Sequence, residues 1–235
     1  MLALLAMPDL VLLIIILIMS AVVHEVSHGL AAFWLGDPTA KYMGRLTLNP
    51  LKHLDPWGSL LMPAFLLLLS GGRFFFAAAK PVPYNPYNLR DQKYGPAIVG
   101  AAGPLSNIFI ALVFGIFLRI FISTGFVPAN DAATLLGNLF TGGAMLGSGL
   151  SAIAIIFIMI IYINILLAFF NLVPIPPLDG SKLLFVLLPI REETKIYLEQ
   201  YGLIFIIPII ILFSGPIFAL IRHIELLFFR LVLGI

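Results

Sequence analysis

The chain has 235 residues, of which 61% are hydrophobic and only 10% are charged. A soluble domain usually has about 25% charged residues, so this composition predicts a compact protein that crosses the lipid bilayer several times. The net charge of +2 without a basic tract argues against nucleic acid as a partner. The absence of cysteine excludes disulfides, thiolate nucleophiles and cysteine-bound metals, so any metal must be held by His, Asp and Glu.

The first apolar stretch runs roughly from Asp9 to Leu35 and is long enough to cross a hydrocarbon core about 30 Å thick. It has no basic n-region and no clear small-residue cleavage site, so we expect it to be retained rather than removed as a signal peptide. Gly36, Asp37 and Pro38 are expected to end it.

Three segments after this span are expected to be irregular. Residues 41–50 alternate briefly and stop at a proline, which favours a strand or β-hairpin beside the membrane. Trp57 to Leu69 is apolar but short and broken by proline, which favours a re-entrant segment. Ala79 to Pro86 is rich in proline and is expected to be an extended loop.

Three later stretches have the composition and length of spans: Tyr94 to Phe121, Leu150 to Leu172 and Tyr201 to Ile221. A loop with an interfacial helix is expected over residues 123–148, and an amphipathic surface helix over 222–235. The predicted fold is an all-α polytopic membrane protein with about four to six transmembrane helices, a re-entrant segment and a short β-hairpin. We expect a single domain over residues 1–235, with a catalytic core at about 9–190 and a C-terminal part at about 195–235.

The first span contains a His-Glu-x-x-His motif, formed by His24, Glu25 and His28. Two histidines four residues apart lie on one face of a helix, so both rings can reach one metal ion, and the Glu can act as a base toward a metal-bound water. A packed or hydrogen-bonded histidine pair is the simpler alternative. Because ionisable side chains are costly in the bilayer, the functional interpretation is favoured.

A hydrolytic zinc site usually needs a third protein ligand, and Asp179 is the best acidic candidate. It lies in a proline-rich turn before Gly180, where irregular backbone at membrane depth is tolerated if it lines a cavity. A helix N-cap is the alternative role of this residue. His24 and His28 lie near the C-terminal end of the first span, and Asp179 follows the C-terminal end of the span Leu150 to Leu172. The three residues lie at one depth only if these two spans run parallel, which requires an odd number of crossings between them.

If Trp57 to Leu69 is re-entrant, a single crossing separates the two spans and this condition is met. Seven basic residues then share one side of the membrane: Lys41, Arg45, Lys52, Arg73, Lys80, Arg90 and Lys93. The opposite loop holds one Arg and Asp131. The positive-inside rule therefore predicts a site near the cytoplasmic face.

Four further polar residues need an interpretation, and two of them, Asn107 and Asn171, lie in apolar spans. Asn107 and Asn171 are expected either to donate to a developing oxyanion or to bond a neighbouring helix. His53 is expected at the surface beside Lys52, and His223 on the amphipathic tail.

These residues together resemble the site-2 protease family of intramembrane zinc metalloproteases. The resemblance rests on His24-Glu25-Val26-Ser27-His28-Gly29, on residues 171–180, which match Asn-x-x-Pro-x-x-x-Leu-Asp-Gly, and on Gly103, Pro104 and Asn107, which match Gly-Pro-x-x-Asn. It covers most of the chain, from about Val11 to Leu188. Residues 44–55 and 79–85 resemble a short subgroup that lacks a PDZ domain.

The resemblance implies that His24, His28 and Asp179 bind one Zn²⁺ per chain and that Glu25 is the general base and acid. It also implies that Asn107 and Asn171 hold the substrate backbone or oxyanion, and that Lys41 to Thr47 contacts the substrate.

The implied partners are transmembrane-helix protein substrates, which are cleaved within or next to the membrane in regulated intramembrane proteolysis. The implied location is multi-pass in the cell membrane of a prokaryote, and a homo-oligomer is compatible with the sequence. Two alternatives are a metal or proton transporter and a catalytically silent homologue. The near absence of charge in the third and fourth spans disfavours the first alternative, and the intact Glu25 disfavours the second.

Overall fold

The computed structural model of the chain describes residues 7–55, 58, 61, 68, 79–141, 143–146, 151–188 and 190–234. Seven α-helices lie within these residues: α1 Met7–Trp34, α2 Thr39–Tyr42, α3 Gly95–Ser123, α4 Ala129–Thr141, α5 Ala152–Asn171, α6 Gly180–Leu187 and α7 Glu192–Leu233. Single 3₁₀ turns occur at Pro50–Lys52 and Pro86–Asn88, and the described part of the chain contains no β-strand.

Three of these helices are long and apolar enough to cross a membrane: Pro8–Trp34 of α1, all of α3 and all of α5. Their mean hydropathies are 2.5, 2.3 and 2.9, and each has the length of about 20 residues that a bilayer core requires. They confirm the first three predicted spans, and α4 matches the predicted interfacial helix. The re-entrant segment predicted at Trp57 to Leu69 lies, apart from isolated positions, outside the described residues and stays a prediction.

Helices α1 and α5 run parallel. Near the start of α1, the Asp9 carboxylate accepts a hydrogen bond of 2.7 Å from the Leu146 N–H, shortly before α5 begins. Further along both helices, the Asn164 amide of α5 donates to the Ser20 hydroxyl of α1 at 2.9 Å. Residue numbers therefore rise in the same direction along the two helices, and the C-terminal part of α1 lies beside the end of α5.

Helix α3 runs in the opposite direction. His28 of α1 bonds to the Val99 carbonyl near the start of α3, whereas His24, one turn earlier, bonds to Asn107 further along α3. Among the described residues, α3 is the one candidate span between α1 and α5. The structure therefore agrees with the single crossing that the sequence predicts between the histidines and Asp179.

The core forms where α1, α3 and α5 pack together with α4 and α7. Its buried side chains include Leu135 of α4, Ile158 of α5 and Phe229 of α7. Gly115 allows α3 to approach α7 closely, because a Cβ atom at this position would lie 2.6 Å from Val232 Cγ1. Small residues of this kind let helix backbones come together in a membrane, where van der Waals packing drives association.

Helix α7 differs from the prediction of a span followed by a separate amphipathic helix. It is continuous over 42 residues and ends at Gly234, which has a left-handed φ of 74°. The boundary expected between Ile221 and Arg222 rested on a change in composition, and no turn interrupts the backbone there. His223 is exposed, as predicted.

Residues 41–50 do not form the predicted strand or β-hairpin. The chain forms α2 instead, followed by a turn at Gly44, whose φ is 63°. Asp37 explains the difference, because its Oδ1 accepts hydrogen bonds from both the backbone N–H and the hydroxyl of Thr39. This local bonding favours a helical turn directly after α1, and the alternation over a few residues was too weak a signal to outweigh it.

Residues 79–85, where an extended loop was expected, form neither helix nor strand, and we call this segment the strap. Asn85 at its end has an extended φ of −107° and ψ of 109°. The Arg45 guanidinium donates to the carbonyls of Lys80 and Pro81 at 2.7 and 3.3 Å. The Lys80 N–H donates to the His53 carbonyl at 2.8 Å. These bonds hold the strap against residues 45–53.

His53 is buried, so the prediction that it is a surface residue is wrong. It is 1% exposed, and its Nε2 bonds to the carbonyl oxygen of Thr47 at 2.8 Å. The neighbouring Lys52 and Asp55 suggested a solvated loop, but the His53 carbonyl accepts a hydrogen bond from Lys80 of the strap.

Asp37 anchors the other end of the strap. Its Oδ2 accepts from the Asn85 N–H at 2.6 Å, and its Oδ1 accepts from the Asn88 side chain at 2.9 Å. Burial alone would raise the pKa of Asp37. The hydrogen bonds from Thr39, Asn88 and Asn85 outweigh burial and hold the pKa below its usual value.

Replacement of Asp37 by Ala should destabilise the protein. A hydrogen bond to a charged group contributes about 1.5–3 kcal/mol, and each kcal/mol changes the Tm of a chain this size by about 2–4 °C. Because the folded pKa of Asp37 is depressed, its contribution is present above the unfolded pKa of about 3.9 and is lost as the pH falls through the folded value. The Tm of Asp37→Ala in detergent should be several degrees below wild type at pH 7.

This difference should shrink below about pH 4. The exposed Glu193→Gln is the control variant and should keep the wild-type Tm at each pH. A Tm deficit of Asp37→Ala that does not change with pH would contradict the anchoring role of the carboxylate.

Candidate metal centre

The two histidines of α1 and the residue that precedes α6 form one cluster. His24 and His28 lie one turn apart, with ring centroids separated by 4.7 Å and ring planes nearly perpendicular at 86°. Asp179 Oδ2 lies 3.0 Å from His24 Nε2 and 3.1 Å from His28 Nε2. All three residues are buried, at 6%, 7% and 7% exposed. The structure therefore brings together the three metal ligands that the sequence predicts.

The second nitrogen of each ring is bonded to an acceptor oxygen. His24 Nδ1 lies 2.5 Å from Asn107 Oδ1, and His28 Nδ1 lies 2.6 Å from the Val99 carbonyl oxygen. An oxygen acceptor requires Nδ1 to carry the proton, so in the neutral ring Nε2 has a free electron pair. Both electron pairs point toward Asp179.

This donor set fits a zinc ion. Two nitrogen electron pairs and a carboxylate oxygen converge within 4.8 Å of one another, and a cation between them would interact favourably with all three. Tetrahedral ligands at the usual zinc distances of about 2.0–2.1 Å lie about 3.3 Å apart, close to the observed separations. Two His and one Asp also leave a coordination position open, as in hydrolytic zinc sites.

Asp179 does not act as a helix cap. It precedes α6, but its side chain makes no capping hydrogen bond, which removes the alternative interpretation. Its Oδ1 accepts from Lys182 Nζ at 3.1 Å, so Oδ2 is the oxygen that faces the histidines. Gly180 is required directly after it, because a Cβ atom there would lie less than 3 Å from the carbonyl oxygens of Leu172 and Val173.

Glu25 contacts the strap. Its Oε2 accepts a hydrogen bond of 2.8 Å from the Val82 backbone N–H, and its side chain is half-buried. Gly29 makes room for this contact, since a Cβ atom there would lie 2.6 Å from a Leu46 methyl group and 2.8 Å from a Val82 methyl group. The strap therefore lies directly beside the predicted base.

The two predicted oxyanion donors have other partners. Asn107 is fully buried, and its amide donates to Asn164 while its oxygen accepts from His24. Its contacts match the alternative interpretation, a bond to a neighbouring helix, and its role at an oxyanion stays a prediction. The Asn171 amide donates to the Leu167 carbonyl of its own helix at 2.9 Å, so nothing in its contacts supports the predicted role.

Helix α3 approaches the cluster through Gly103. A Cβ atom at this position would lie 2.5 Å from Nε2 of both His24 and His28. The sequence motif Gly-Pro-x-x-Asn includes this glycine, but its place beside the histidines follows only from the fold. Asn164 of α5 was also missed, although a lone amide in such an apolar helix was a usable signal.

A metal-binding cluster inside a bundle of helices that can cross a membrane defines a membrane metalloprotein. Comparison with known proteins gives its family. The model of peptidase family M50 matches residues 12–215. The chain therefore belongs to this family, the site-2 protease family, and it is a zinc metalloprotease and an integral membrane protein. The predicted resemblance is confirmed, and the described residues contain no strand from which a PDZ domain could be built.

Several curated proteins are similar over much of the chain. "Putative zinc metalloprotease YwhC" of Bacillus subtilis (strain 168) is 34% identical over 206 residues, which cover 87% of this chain and 81% of that protein. "Putative zinc metalloprotease Rip2" of Mycolicibacterium smegmatis is 28% identical over 195 residues, covering 83% and 64%. "Putative zinc metalloprotease MJ0611" of Methanocaldococcus jannaschii is 32% identical over 128 residues, covering 54% and 52%. No solved structure matches the chain.

Replacement of Gly103 by Ala should impair zinc binding although Gly103 offers no ligand atom. The added methyl group would meet both Nε2 atoms, so the rings must move away from Asp179. Gly-to-Ala changes in a helix are otherwise stabilising by up to about 1 kcal/mol. Purified Gly103→Ala should therefore contain much less than one zinc per chain by mass spectrometry.

The matched control is Gly137→Ala in α4, where a Cβ atom meets nothing within 4 Å. This variant should keep full zinc content. Equal zinc content in the two variants would contradict the position of Gly103 against the two rings.

Proposed function

We propose that this zinc metalloprotease cleaves peptide bonds within or next to transmembrane helices of other membrane proteins, as a step of regulated intramembrane proteolysis. The main support for this proposal is the position of the cluster at membrane depth. His24 and His28 lie within a helix that can span the membrane, and Asp179 reaches them from the end of another. A peptide bond has to arrive at this depth to be cut, and a segment that itself enters the membrane does so most directly.

In this proposal His24, His28 and Asp179 hold one Zn²⁺. Zinc, when bound, polarises a carbonyl and makes water acidic enough to lose a proton near neutral pH. Glu25, next to His24 on α1, takes the proton of the attacking water and later gives it to the leaving amine. The Lys182 ammonium donates a hydrogen bond to Oδ1 of Asp179, which leaves Oδ2 directed at the histidines.

The strap is the segment that we propose to present the substrate. A transmembrane helix uses its backbone amides in its own hydrogen bonds, so it has to unwind locally before attack. An unwound chain can pair with extended backbone by strand addition. The strap lies beside Glu25, and a substrate that pairs with it would replace the hydrogen bond between the Val82 N–H and Glu25. Lys41 to Thr47, which the sequence favoured for this role, begins in a helical turn.

We also propose that the centre lies toward the cytoplasmic side of a prokaryotic cell membrane. The strap and the turn before α3 lie on the same side as the cluster, and they carry Lys80, Arg90 and Lys93. The segment between α3 and α5 holds Asp131 and no basic residue after the end of α3. Excess Lys and Arg in short loops mark the cytoplasmic side.

Glu25→Gln should abolish cleavage without loss of zinc. Loss of a general base typically costs about 10²–10⁴-fold in rate, while the ligand set is untouched. Membrane proteins that accumulate uncut in cells with Glu25→Gln would supply the reporter substrate. Its cleavage by purified wild-type and variant protein would then be compared in detergent.

His24→Ala is the matched comparison, because it should lose both zinc and activity. Wild-type cleavage by Glu25→Gln would contradict the role of the carboxylate. Accumulation of soluble proteins only would contradict the proposed substrate class.

The orientation can be tested with single cysteines, because the native chain has none. Gln92→Cys lies before α3 and Ala133→Cys lies in α4, and both positions are exposed. A membrane-impermeant maleimide added to intact cells should label Ala133→Cys and should leave Gln92→Cys unlabelled until the membrane is opened. The reverse pattern would place the cluster toward the outer side and contradict the proposal.

A further inference from the structure

A buried amide of α5 is connected to the metal centre through a second amide. Asn164 is fully buried in a helix of mean hydropathy 2.9. Such a group is costly in apolar surroundings unless it is hydrogen-bonded. Its Nδ2 donates to the Ile160 carbonyl at 2.8 Å and to the Ser20 hydroxyl at 2.9 Å, and its Oδ1 accepts from Asn107 Nδ2 at 2.7 Å.

The direction of these bonds is set by the Ile160 carbonyl. A carbonyl oxygen can only accept, so the NH₂ group of Asn164 has to face it. The Oδ1 atom of Asn164 then faces α3, where it can only accept from the NH₂ group of Asn107. That same NH₂ group also lies 3.5 Å from the Ser20 carbonyl oxygen.

The orientation of the Asn107 amide determines which ring nitrogen of His24 carries the proton. With its NH₂ group turned to Asn164, Asn107 presents Oδ1 to His24 Nδ1 at 2.5 Å. His24 therefore has to donate from Nδ1, which leaves the electron pair of a neutral ring on Nε2, the atom 3.0 Å from Asp179.

The opposite orientation of Asn107 would be unfavourable in two ways. It would place two oxygen acceptors against each other at Asn164. It would also place an NH₂ group against His24 Nδ1, which would move the ring proton to Nε2 and remove the electron pair from the metal position. His28 needs no such arrangement, because its Nδ1 bonds directly to the backbone carbonyl of Val99.

We propose that Asn164 is a positioning residue of the metal centre. It fixes the amide orientation of Asn107 and thereby the Nδ1–H tautomer of His24 that leaves Nε2 free to bind zinc. The inference rests on the proposed role of His24 as a ligand. It is independent of the nature of the substrate, since it concerns the hydrogen bonds behind the ring and not the peptide.

The test uses Asn164→Leu and Asn164→Ser in the full-length protein. Leucine removes every hydrogen bond of the amide. Serine can bond back to the Ile160 carbonyl but is too short to serve as the acceptor for Asn107, so the second variant keeps the test valid if leucine disturbs folding. Asn138→Leu is the matched control, because its amide donates to the Ala144 carbonyl away from the cluster.

The first measurement is made on zinc-loaded protein labelled with ¹⁵N-histidine in lipid bilayers. Solid-state NMR shifts of the ring nitrogens report which nitrogen carries the proton and how strongly it is hydrogen-bonded, and signals absent from His24→Ala identify His24. Wild type and Asn138→Leu should show a strongly hydrogen-bonded Nδ1–H at His24. Both Asn164 variants should show a weaker hydrogen bond at the Nδ1–H of His24, while the signal of His28 stays unchanged.

The second measurement is zinc affinity by competition with a chelator. Loss of a partner behind a metal ligand typically weakens binding about 10–100-fold, and this is the expected effect of both Asn164 variants. Ser20→Ala removes one acceptor but leaves the Ile160 carbonyl, so it should weaken binding less than either variant.

Folded Asn164 variants with the wild-type Nδ1–H signal of His24 and wild-type zinc affinity would overturn the inference. A changed His24 signal and weaker zinc binding in a protein that cuts no membrane substrate would support the positioning role and contradict the proposed function instead.

Discussion

Two imidazole nitrogens and a carboxylate oxygen lie together inside an apolar helical bundle. Burial of these polar groups costs free energy, and hydrogen bonds from the surrounding residues offset that cost. Each buried polar atom of the group has a defined partner: Asn107 and the Val99 carbonyl behind the histidines, and Lys182 behind Asp179. Without these partners the group would lose hydration and gain little in return. The same partners orient the three ligand atoms toward one another. One set of hydrogen bonds therefore both stabilises the buried polar groups and positions the ligands.

Close approach of the backbones makes this arrangement possible. Gly103 brings α3 against both rings, and Gly180 lets the chain fold back directly after Asp179. Gly100 has a related role, because a Cβ atom there would lie 3.2 Å from the Asp179 carbonyl oxygen and 2.9 Å from Lys182. A methyl group at any of these positions would push a helix or a ring outward, which explains why the glycines surround the site.

The strap is the segment that lies beside the metal centre at Glu25. Arg45, His53 and Asp37 hold it by hydrogen bonds, and its Val82 N–H contacts Glu25. The strap is therefore held by two side chains, those of Arg45 and Asp37, and by the backbone carbonyl of His53. In our account, an extended substrate would meet the base and the metal ligands from the same side.

The sequence was most informative where the chemistry is local or costly. The His-Glu-x-x-His spacing predicted that His24 and His28 would share a face, and the crossing count predicted that α1 and α5 would run parallel. The ligand role of Asp179 was more ambiguous, because an Asp before Gly-Ser also resembles a helix cap, and only its missing capping bond removed that alternative.

Predictions failed where distant contacts decide the structure. His53 is buried although its neighbours in the sequence are charged, and its carbonyl bonds to Lys80, which lies far along the chain. The partner of Asn107 across the bundle, Asn164, was not predicted, because hydrogen-bond direction between helices leaves no local pattern. The predicted strand near Lys41 failed for a local reason, the bonding of Asp37 to Thr39, which short alternation did not reveal.

X-ray absorption at the zinc edge of the purified protein tests the central claim most directly. The account predicts a first shell of nitrogen and oxygen at about 2.0–2.2 Å with the multiple-scattering pattern of two imidazoles, reduced to one imidazole in His28→Ala protein reloaded with zinc. A shell without two imidazoles, or one unchanged in His28→Ala, would contradict a metal centre built from His24, His28 and Asp179.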